Sequence, residues 1–298
     1  MAQIKNYRGR FAPTPSGPLH FGSIVTALGS YLDAKSNKGK WFVRIDDIDQ
    51  SRKKFNADKI ILNQLKQLGL IWDEPVVYQT QQINLYEIAL KNLKNLKCVF
   101  PCDCPRNKIK NLVYPGTCRN KIAILNSNHS IRIRIDNSKI SVADRLQGFY
   151  TQSIESEIGD FIIKRADGHF AYHLATVIDD NEQKITDIVR GFDLLDSTPR
   201  QVFLQKKLKY DEPNYLHLPI AIDSTGRKIS KADKETTSVI SSPTIVLVNV
   251  LRFLGHCPPD GIENTNTETI LKWGIENWNV DLLPKKSKIN YSVNINKI

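Results

Sequence analysis

The chain has 298 residues, of which 41% are hydrophobic and 24% are charged, an ordinary globular composition that excludes a disordered, collagen-like or coiled-coil protein. The length predicts roughly two domains, and no segment approaches the run of about 18 apolar residues that a membrane-spanning helix requires. The net charge of +11 favours a polyanionic partner such as nucleic acid, although lysines spread over solvated surfaces explain it equally well.

The N-terminus and the cysteines indicate the compartment. Met1–Arg10 has neither the apolar core nor the small-residue cleavage site of a secretory signal. The five cysteines are an odd number, which favours reduced thiols over a set of disulfides. We therefore expect a cytoplasmic protein without a membrane partner.

Strands and helices alternate over residues 1–98. The pattern predicts a strand at Arg8–Ala12, a Pro/Gly-rich turn, a helix from about Gly22 and a buried strand at Trp41–Ile45. Two amphipathic helices follow, and the first of them ends at Gly69. This alternation is typical of βαβ units, so we expect an α/β fold with a parallel sheet whose first half is 1–98.

The composition changes over residues 99–160, which contain most of the cysteines and one alternating strand, Ser130–Ile135. We interpret this range as an insertion between the two halves of the sheet. The second half, 161–240, begins with a predicted hairpin: Asp167-Gly168 forms its turn and Tyr172 lies in its second strand.

A strand at Ile185–Val189 and a helix at Thr198–Leu208 continue this second half of the sheet. Residues 241–298 form a predicted helical C-terminal region, with apolar residues packed densely from Ser242. The polar tail from Lys285 is expected to be loosely held.

The turn after the first strand lies in a fourteen-residue string, Arg10–Ser23, which ends where a helix begins. A helix N-terminus offers free N–H groups and the positive end of the helix dipole, so this loop suits a phosphate. Gly22 allows the backbone to approach a ligand closely. His20 is placed to donate to a developing negative charge; an ordinary βα turn with a surface histidine is the alternative.

This string resembles the signature of the class I glutamyl-tRNA synthetases, with His20-Phe-Gly-Ser23 in the position of the HIGH motif. The resemblance implies a Rossmann-type catalytic domain in which His20, Gly22 and Ser23 bind ATP and His20 is also catalytic. Ser23 stands where the family has a second histidine, so this phosphate contact departs from the family pattern.

A second motif, Arg227-Lys-Ile-Ser-Lys-Ala232, follows Gly226 about two hundred residues later. Two lysines on such a loop can hold a pyrophosphate leaving group. In this position the motif resembles the KMSKS loop of the same family. The resemblance makes Lys228 and Lys231 catalytic, ATP-binding residues, with Lys231 the principal one.

Two arginines suit an acidic substrate, because a guanidinium grips a carboxylate through two hydrogen bonds. The resemblance implies that this substrate is glutamate and gives its binding residues. These are Arg10, Phe11, Ala12, Pro13, Thr14, Asp46, Tyr172 and Arg190. Asp46 stands where the family has a glutamate that meets the substrate's α-amino group, and its side chain is one methylene shorter.

Cys102, Cys104 and Cys118 lie within seventeen residues of the sequence, and three thiolates suit a tetrahedral zinc ion. Spacing alone makes Cys98 a candidate for the fourth ligand, and three buried reduced cysteines without metal are the alternative. The group resembles the Cys-x-Cys…Tyr-x3-Cys site of short paralogues called glutamyl-queuosine tRNA(Asp) synthetases, which implies Tyr114 as the fourth ligand of one structural zinc.

The resemblance implies that ATP with Mg²⁺ and L-glutamate give glutamyl-adenylate, and that glutamate is transferred to queuosine in the anticodon of tRNA(Asp). Only residues 232–298 follow Lys228-Ile-Ser-Lys231, called the lysine loop below, and this is short for an anticodon-binding module. Charging of a tRNA 3′ end, or a non-catalytic RNA-binding paralogue, are the alternatives. We expect a monomer.

Overall fold

A seven-stranded sheet is the centre of the computed structural model, which describes residues 6–105, 113–121, 129–229 and 242–291. Strands and helices are numbered in chain order. From edge to edge, the sheet contains β3 (Val77–Tyr78), β2 (Lys40–Ile45), β1 (Arg8–Phe11), β9 (Asp187–Gly191), β10 (Asn214–Leu218), β6 (Lys139–Asp144) and β7 (Gly148–Ser153). The first six strands are parallel, and β7 is antiparallel to β6. The predicted parallel sheet is confirmed.

The chain builds outward in opposite directions from the middle of this sheet. From β1 it proceeds to β2 and β3 on one side, whereas β9 and β10 follow on the other side of β1. Parallel sheets with this switch open a crevice between the carboxyl ends of the two central strands, where ligands bind. The end of β1 and the end of β9 therefore define the expected place of the site.

Helices cover both faces of the sheet. The helices are α1 (Phe21–Ser36), α2 (Ala57–Gln67), α3 (Ile83–Asn95), α4 (Tyr172–Glu182), α5 (Thr198–Leu208), α6 (Pro243–Phe253) and α7 (Thr267–Asn277). One buried cluster joins the sheet to α1, α2, α6 and α7, and a second joins it to α3, α4 and α5. In β2, Trp41 and Val43 enter the first cluster while Phe42 enters the second, as strand geometry requires.

Residues 99–160 contribute to two sheets. Their strand β4 (Val99–Cys102) pairs antiparallel with β5 (Ser130–Ile133), which pairs with β8 (Ile162–Lys164). The hairpin of β6 and β7 instead extends the large sheet, because β6 lies beside β10. The division of the chain at 98, 160 and 240 stays a prediction.

The predicted hairpin after residue 161 is wrong in its second strand. The chain reverses at Gly168, and the returning segment forms an isolated bridge from Phe170 to Lys164 that does not extend into a strand. Helix α4 then begins at Tyr172, because the apolar residues beyond it recur at helical spacing and are buried, including Leu174 and Ile178. Tyr172 is therefore the first residue of a helix.

The C-terminal tail differs from its prediction as well. Lys288–Asn290 forms β12, which pairs parallel with β11 (Ile220–Ile222), and the Tyr291 ring stacks on Phe21 at 3.7 Å between centroids. This part of the tail is held because it completes a strand pair and an aromatic contact. Helices α6 and α7 confirm the predicted helical end. Within the described ranges, no helix has the length and apolar character to cross a bilayer.

Candidate active site and metal centre

A cavity of about 260 Å³ opens at the carboxyl ends of β1 and β9, where the chain switches direction. The loop after β1, the start of α1 and the end of β9 form its walls. The predicted ATP- and glutamate-binding residues that line it are Arg10, Phe11, Ala12, Pro13, Thr14, His20, Gly22, Ser23, Asp46, Tyr172, Arg190 and Lys228. The remaining predicted residue, Lys231, lies outside the described residues.

The start of α1 presents its N-terminus to this cavity. His20 is the N-cap, and its Nδ1 accepts a hydrogen bond of 3.3 Å from the backbone N–H of Ser23. Gly22 lies directly beneath the imidazole, and a Cβ there would come within 3.3 Å of two ring atoms. The glycine therefore leaves the histidine room to lie over the first turn, where the helix dipole favours an anion.

Arg190 brings a buried positive charge to the end of β9. Its Nε donates to His217 Nε2 at 3.0 Å and its Nη2 to Thr198 Oγ1 at 2.8 Å. Its Nη1 is buried and has no hydrogen-bond partner among the described residues. A buried donor without a partner is costly, so a carboxylate entering the cavity would satisfy it.

Arg10 is held differently, by a buried network of charges. Its Nε and Nη2 donate to the two carboxylate oxygens of Asp180 at 3.1 and 3.2 Å. Arg44, which is fully buried in β2, donates to the same Asp180 at 2.6 Å. Burial favours the neutral acid, but the two guanidinium groups outweigh it and hold the pKa of Asp180 below its usual value.

Asp46 joins this network at the wall of the cavity. Its Oδ1 accepts from Arg44 Nε at 2.8 Å, and its side chain is 7% exposed. Burial raises the pKa of Asp46, while the charge of Arg44 opposes that rise. The neighbouring Asp179 accepts from Tyr86 and Gln79, and burial raises its pKa to about 6.

Lys228 lies at the mouth of the cavity and forms an ion pair with Asp193, at 2.5 Å between Nζ and Oδ2. Its backbone pairs with Ile222 of β11 in an isolated bridge, which ties the start of the lysine loop to the structure. Both side chains of the ion pair are more than one third exposed, so the pair is weak and Lys228 can exchange Asp193 for a phosphate.

Three cysteine sulfurs converge beside β4. The Sγ atoms of Cys102, Cys104 and Cys118 all lie within 4.8 Å of one another, and this group could hold a metal ion. The phenol oxygen of Tyr114 lies 3.4 Å from the Cys102 sulfur and 3.6 Å from the Cys104 sulfur. A tetrahedral zinc with Zn–S bonds of about 2.3 Å holds its sulfurs roughly 3.8 Å apart, so the donor set fits this metal. The Cys98 thiol contacts the carbonyl oxygen of Leu96 and is not in the group.

The surroundings favour ionised sulfur at Cys102, whereas burial raises the pKa of Cys118 to about 11. Arg132 Nε donates to Cys102 Sγ at 3.2 Å, and the guanidinium lies over the Tyr114 ring at 3.9 Å. Burial opposes ionisation of Cys102, but hydrogen bonds from Tyr114 and Arg132 lower its pKa to about 7. Gly159 packs against Tyr114 so closely that a Cβ would lie 2.8 Å from the tyrosine nitrogen.

The residues of the site that the sequence did not identify include Arg44, Asp180, Asp193 and His217. Each of the buried three carries a signal that could have found it. Arg44 and His217 interrupt the apolar strands β2 and β10, and Asp180 lies on a helix whose other buried residues are mostly apolar. A charged or titratable group inside such a segment is rarely buried unless it has a partner.

The chain is similar to known proteins over nearly its whole length. Residues 6–277 match the family described as tRNA synthetases class I (E and Q), catalytic domain. A glutamyl-Q tRNA(Asp) synthetase of Dechloromonas aromatica is 42% identical over 293 residues, covering 95% of this chain and 97% of that protein. One of Photobacterium profundum is 42% identical over 291 residues, covering 97% and 94%.

A solved structure shares the fold. The crystal structure of a glutamate tRNA ligase from Elizabethkingia meningosepticum has a TM-score of 0.81 to this chain at 23% identity, covering 97% of this chain and 67% of that one. The sheet with its switch point, the cavity and these matches all indicate the same family. The chain therefore belongs to the class I tRNA synthetases of the E and Q group and, within them, to the family of the glutamyl-Q tRNA(Asp) synthetases.

Proposed function

We propose that the protein activates L-glutamate with ATP and transfers it to the queuosine base in the anticodon of tRNA(Asp). The observation that carries this proposal is the cavity itself. It combines the N-terminus of α1, which suits a phosphate, with a buried guanidinium, which suits a carboxylate because its Nη1 has no hydrogen-bond partner within the described ranges. The choice of acceptor is supported by the glutamyl-Q tRNA(Asp) synthetases, which are about 40% identical to this chain.

In the activation step, the α-carboxylate of glutamate attacks the α-phosphorus of ATP in line, and pyrophosphate leaves. Arg190 binds the side-chain carboxylate together with Arg10 and Tyr172, and Asp46 accepts from the α-amino group. These contacts hold the attacking carboxylate beside the α-phosphorus. The reaction then no longer depends on a bimolecular encounter, and this supplies much of the rate enhancement. No covalent enzyme intermediate is required.

Negative charge develops on the phosphates during this step. His20, the N–H group of Gly22 and the side chain of Ser23 meet it from the start of α1. Lys228 and Lys231 meet it from the lysine loop, where they hold the departing pyrophosphate. Mg²⁺ bound to ATP would neutralise part of the same charge.

In the transfer step, a hydroxyl of the queuosine cyclopentene diol attacks the activated carbonyl, and AMP leaves. This diol resembles the 2′,3′-diol of a terminal ribose, so one adenylate serves either acceptor by the same chemistry. The net charge of +11 would hold the phosphates of the anticodon stem, which makes binding salt-dependent.

The acceptor is tested with labelled glutamate, ATP and two pools of tRNA, from cells that make queuosine and from cells that do not. We expect label only in the first pool, in the anticodon fragment after nuclease digestion. Equal labelling of both pools, or label on the 3′-terminal adenosine, would contradict the proposal and favour charging of the 3′ end.

We further propose that Cys102, Cys104, Cys118 and Tyr114 hold one structural zinc ion. We expect Tyr114→Phe to weaken zinc binding at least about tenfold, since even an outer partner of a metal ligand contributes this much. The measurement is metal content by mass spectrometry during titration with a chelator. Cys98→Ser is the control and should keep the metal of the unmodified protein; the reverse pattern would assign the fourth ligand to Cys98.

Asp46→Glu restores the residue that is usual in the family. We expect equal or tighter glutamate binding, because the longer side chain reaches further into the cavity that Asp46 lines. The Michaelis constant for glutamate in ATP–pyrophosphate exchange measures this effect. A collapse of activity would mean that the pocket is built around the shorter Asp46, which keeps its bond to Arg44.

A further inference from the structure

Arg190 and Arg10 both line the cavity, but the groups that hold them differ in charge. Arg10 gives two N–H groups to the carboxylate of Asp180, so its charge is largely compensated. Arg190 donates to the ring of His217 and the hydroxyl of Thr198, and no carboxylate of the described residues forms an ion pair with it. Arg190 therefore brings the less compensated positive charge to the cavity.

The hydrogen bonds of His217 determine which of its ring nitrogens carries the proton. Nδ1 lies 2.6 Å from Asp144 Oδ2, and this carboxylate also accepts from the backbone N–H groups of Leu146 and Gln147. An ionised carboxylate only accepts, so Nδ1 must donate. Nε2 is then free of a proton and accepts from Arg190. Burial lowers the pKa of His217 to about 4, which keeps the ring neutral.

We propose that His217 is a positioning residue for the glutamate-binding Arg190: its neutral ring, fixed in the Nδ1–H form by Asp144, holds the guanidinium without cancelling its charge. Thr198 supports the same arrangement from the start of α5, since its hydroxyl lies 3.3 Å from His217 Nε2 and accepts from Arg190. A carboxylate in place of the imidazole would compensate Arg190 as Asp180 compensates Arg10. The inference rests on the proposed function, because the carboxylate it serves is that of glutamate.

The protonation state is tested without substrate. Nitrogen-15 spectra of the full chain should show His217 as the neutral Nδ1–H tautomer at pH 7, with its signals assigned by their loss in His217→Gln. An imidazolium or an Nε2–H tautomer would overturn the inference, because neither can accept from Arg190. This readout stays valid even if the proposed reaction is wrong.

The positioning role is tested by glutamate binding and by the constants of ATP–pyrophosphate exchange. His217→Leu removes the acceptor, and we expect the dissociation constant and the Michaelis constant for glutamate to rise about 10- to 100-fold, with that for ATP nearly unchanged. His217→Gln keeps an acceptor for Arg190 and a donor for Asp144, and should restore most of the affinity. His256→Leu is the matched control, because His256 is also buried but stacks on Trp278, away from the cavity.

Two outcomes would overturn the positioning role. One is unchanged glutamate affinity in a His217→Leu variant whose circular dichroism matches that of the unmodified protein. The other is an equal loss of affinity for glutamate and ATP that His217→Gln does not restore, which would indicate a merely structural residue. If the unmodified protein neither binds glutamate nor exchanges pyrophosphate, the proposed function itself fails, and this inference fails with it.

Discussion

Replacing Asp180 by alanine is expected to lower the free energy of unfolding by about 3–5 kcal/mol, because it leaves a buried guanidinium without its partner. Asp180 holds both Arg10 and Arg44, and all three side chains are at most 4% exposed. In this variant Arg44 keeps its hydrogen bond of 2.8 Å to Asp46, but Arg10 loses both of its hydrogen bonds to the Asp180 carboxylate. Urea unfolding followed by tryptophan fluorescence measures the change.

Glu74→Ala is the matched control for Asp180→Ala. Glu74 also pairs with two cations, Arg8 at 3.5 Å and Lys40 at 3.1 Å, but its side chain is 40% exposed. Exposed ion pairs contribute about 0–1 kcal/mol, so the control should lose little stability. If the two variants lost similar free energies of unfolding, burial would not be the reason that the ion pairs of Asp180 stabilise the fold.

Replacing Lys231 by alanine is expected to reduce adenylate formation by about 10²–10³-fold, the usual loss for one charge contact made in the transition state. The reason is chemical: the pyrophosphate leaves with more negative charge than its phosphates carry in ATP. Glutamate-dependent ATP–pyrophosphate exchange is the assay, and the unfolding transition should stay unchanged.

Lys91→Ala, on an exposed position of α3, is the control for the removal of a lysine. Lys228→Ala should lose less activity than Lys231→Ala, because Lys228 has the supporting role in our interpretation. Exchange near the rate of the unmodified protein in Lys231→Ala would show that the lysine loop has been assigned incorrectly.

Local sequence patterns predicted those parts of the site that lie within one segment. The string from Arg10 to Ser23 predicted a strand, a loop and a helix N-terminus, and the structure has all three. The second strand of the predicted hairpin was wrong for a physical reason: the Asp-Gly turn is a local signal, whereas the helix that begins at Tyr172 depends on burial against α3 and α5.

The charge partners of the site could not be predicted in this way. Arg44 and Asp180 are 136 residues apart in the chain, and Arg190 meets His217 across two neighbouring strands. A single sequence shows that Arg44 interrupts an apolar strand, but it does not show which carboxylate lies opposite. The place of β6 beside β10 depends on the same long-range pairing.

The position of β1 in the sheet has a consequence for the order in which the molecule assembles. Its second neighbour, β9, comes from residues 187–191, and the Tyr291 ring that covers Phe21 comes from the last described residue. A ribosome adds about 5–20 residues each second, and domains fold as their residues emerge. The start of α1 is therefore synthesised well before the residue that covers Phe21. Such contacts between distant residues slow folding, because the loops between them must close before the contacts form.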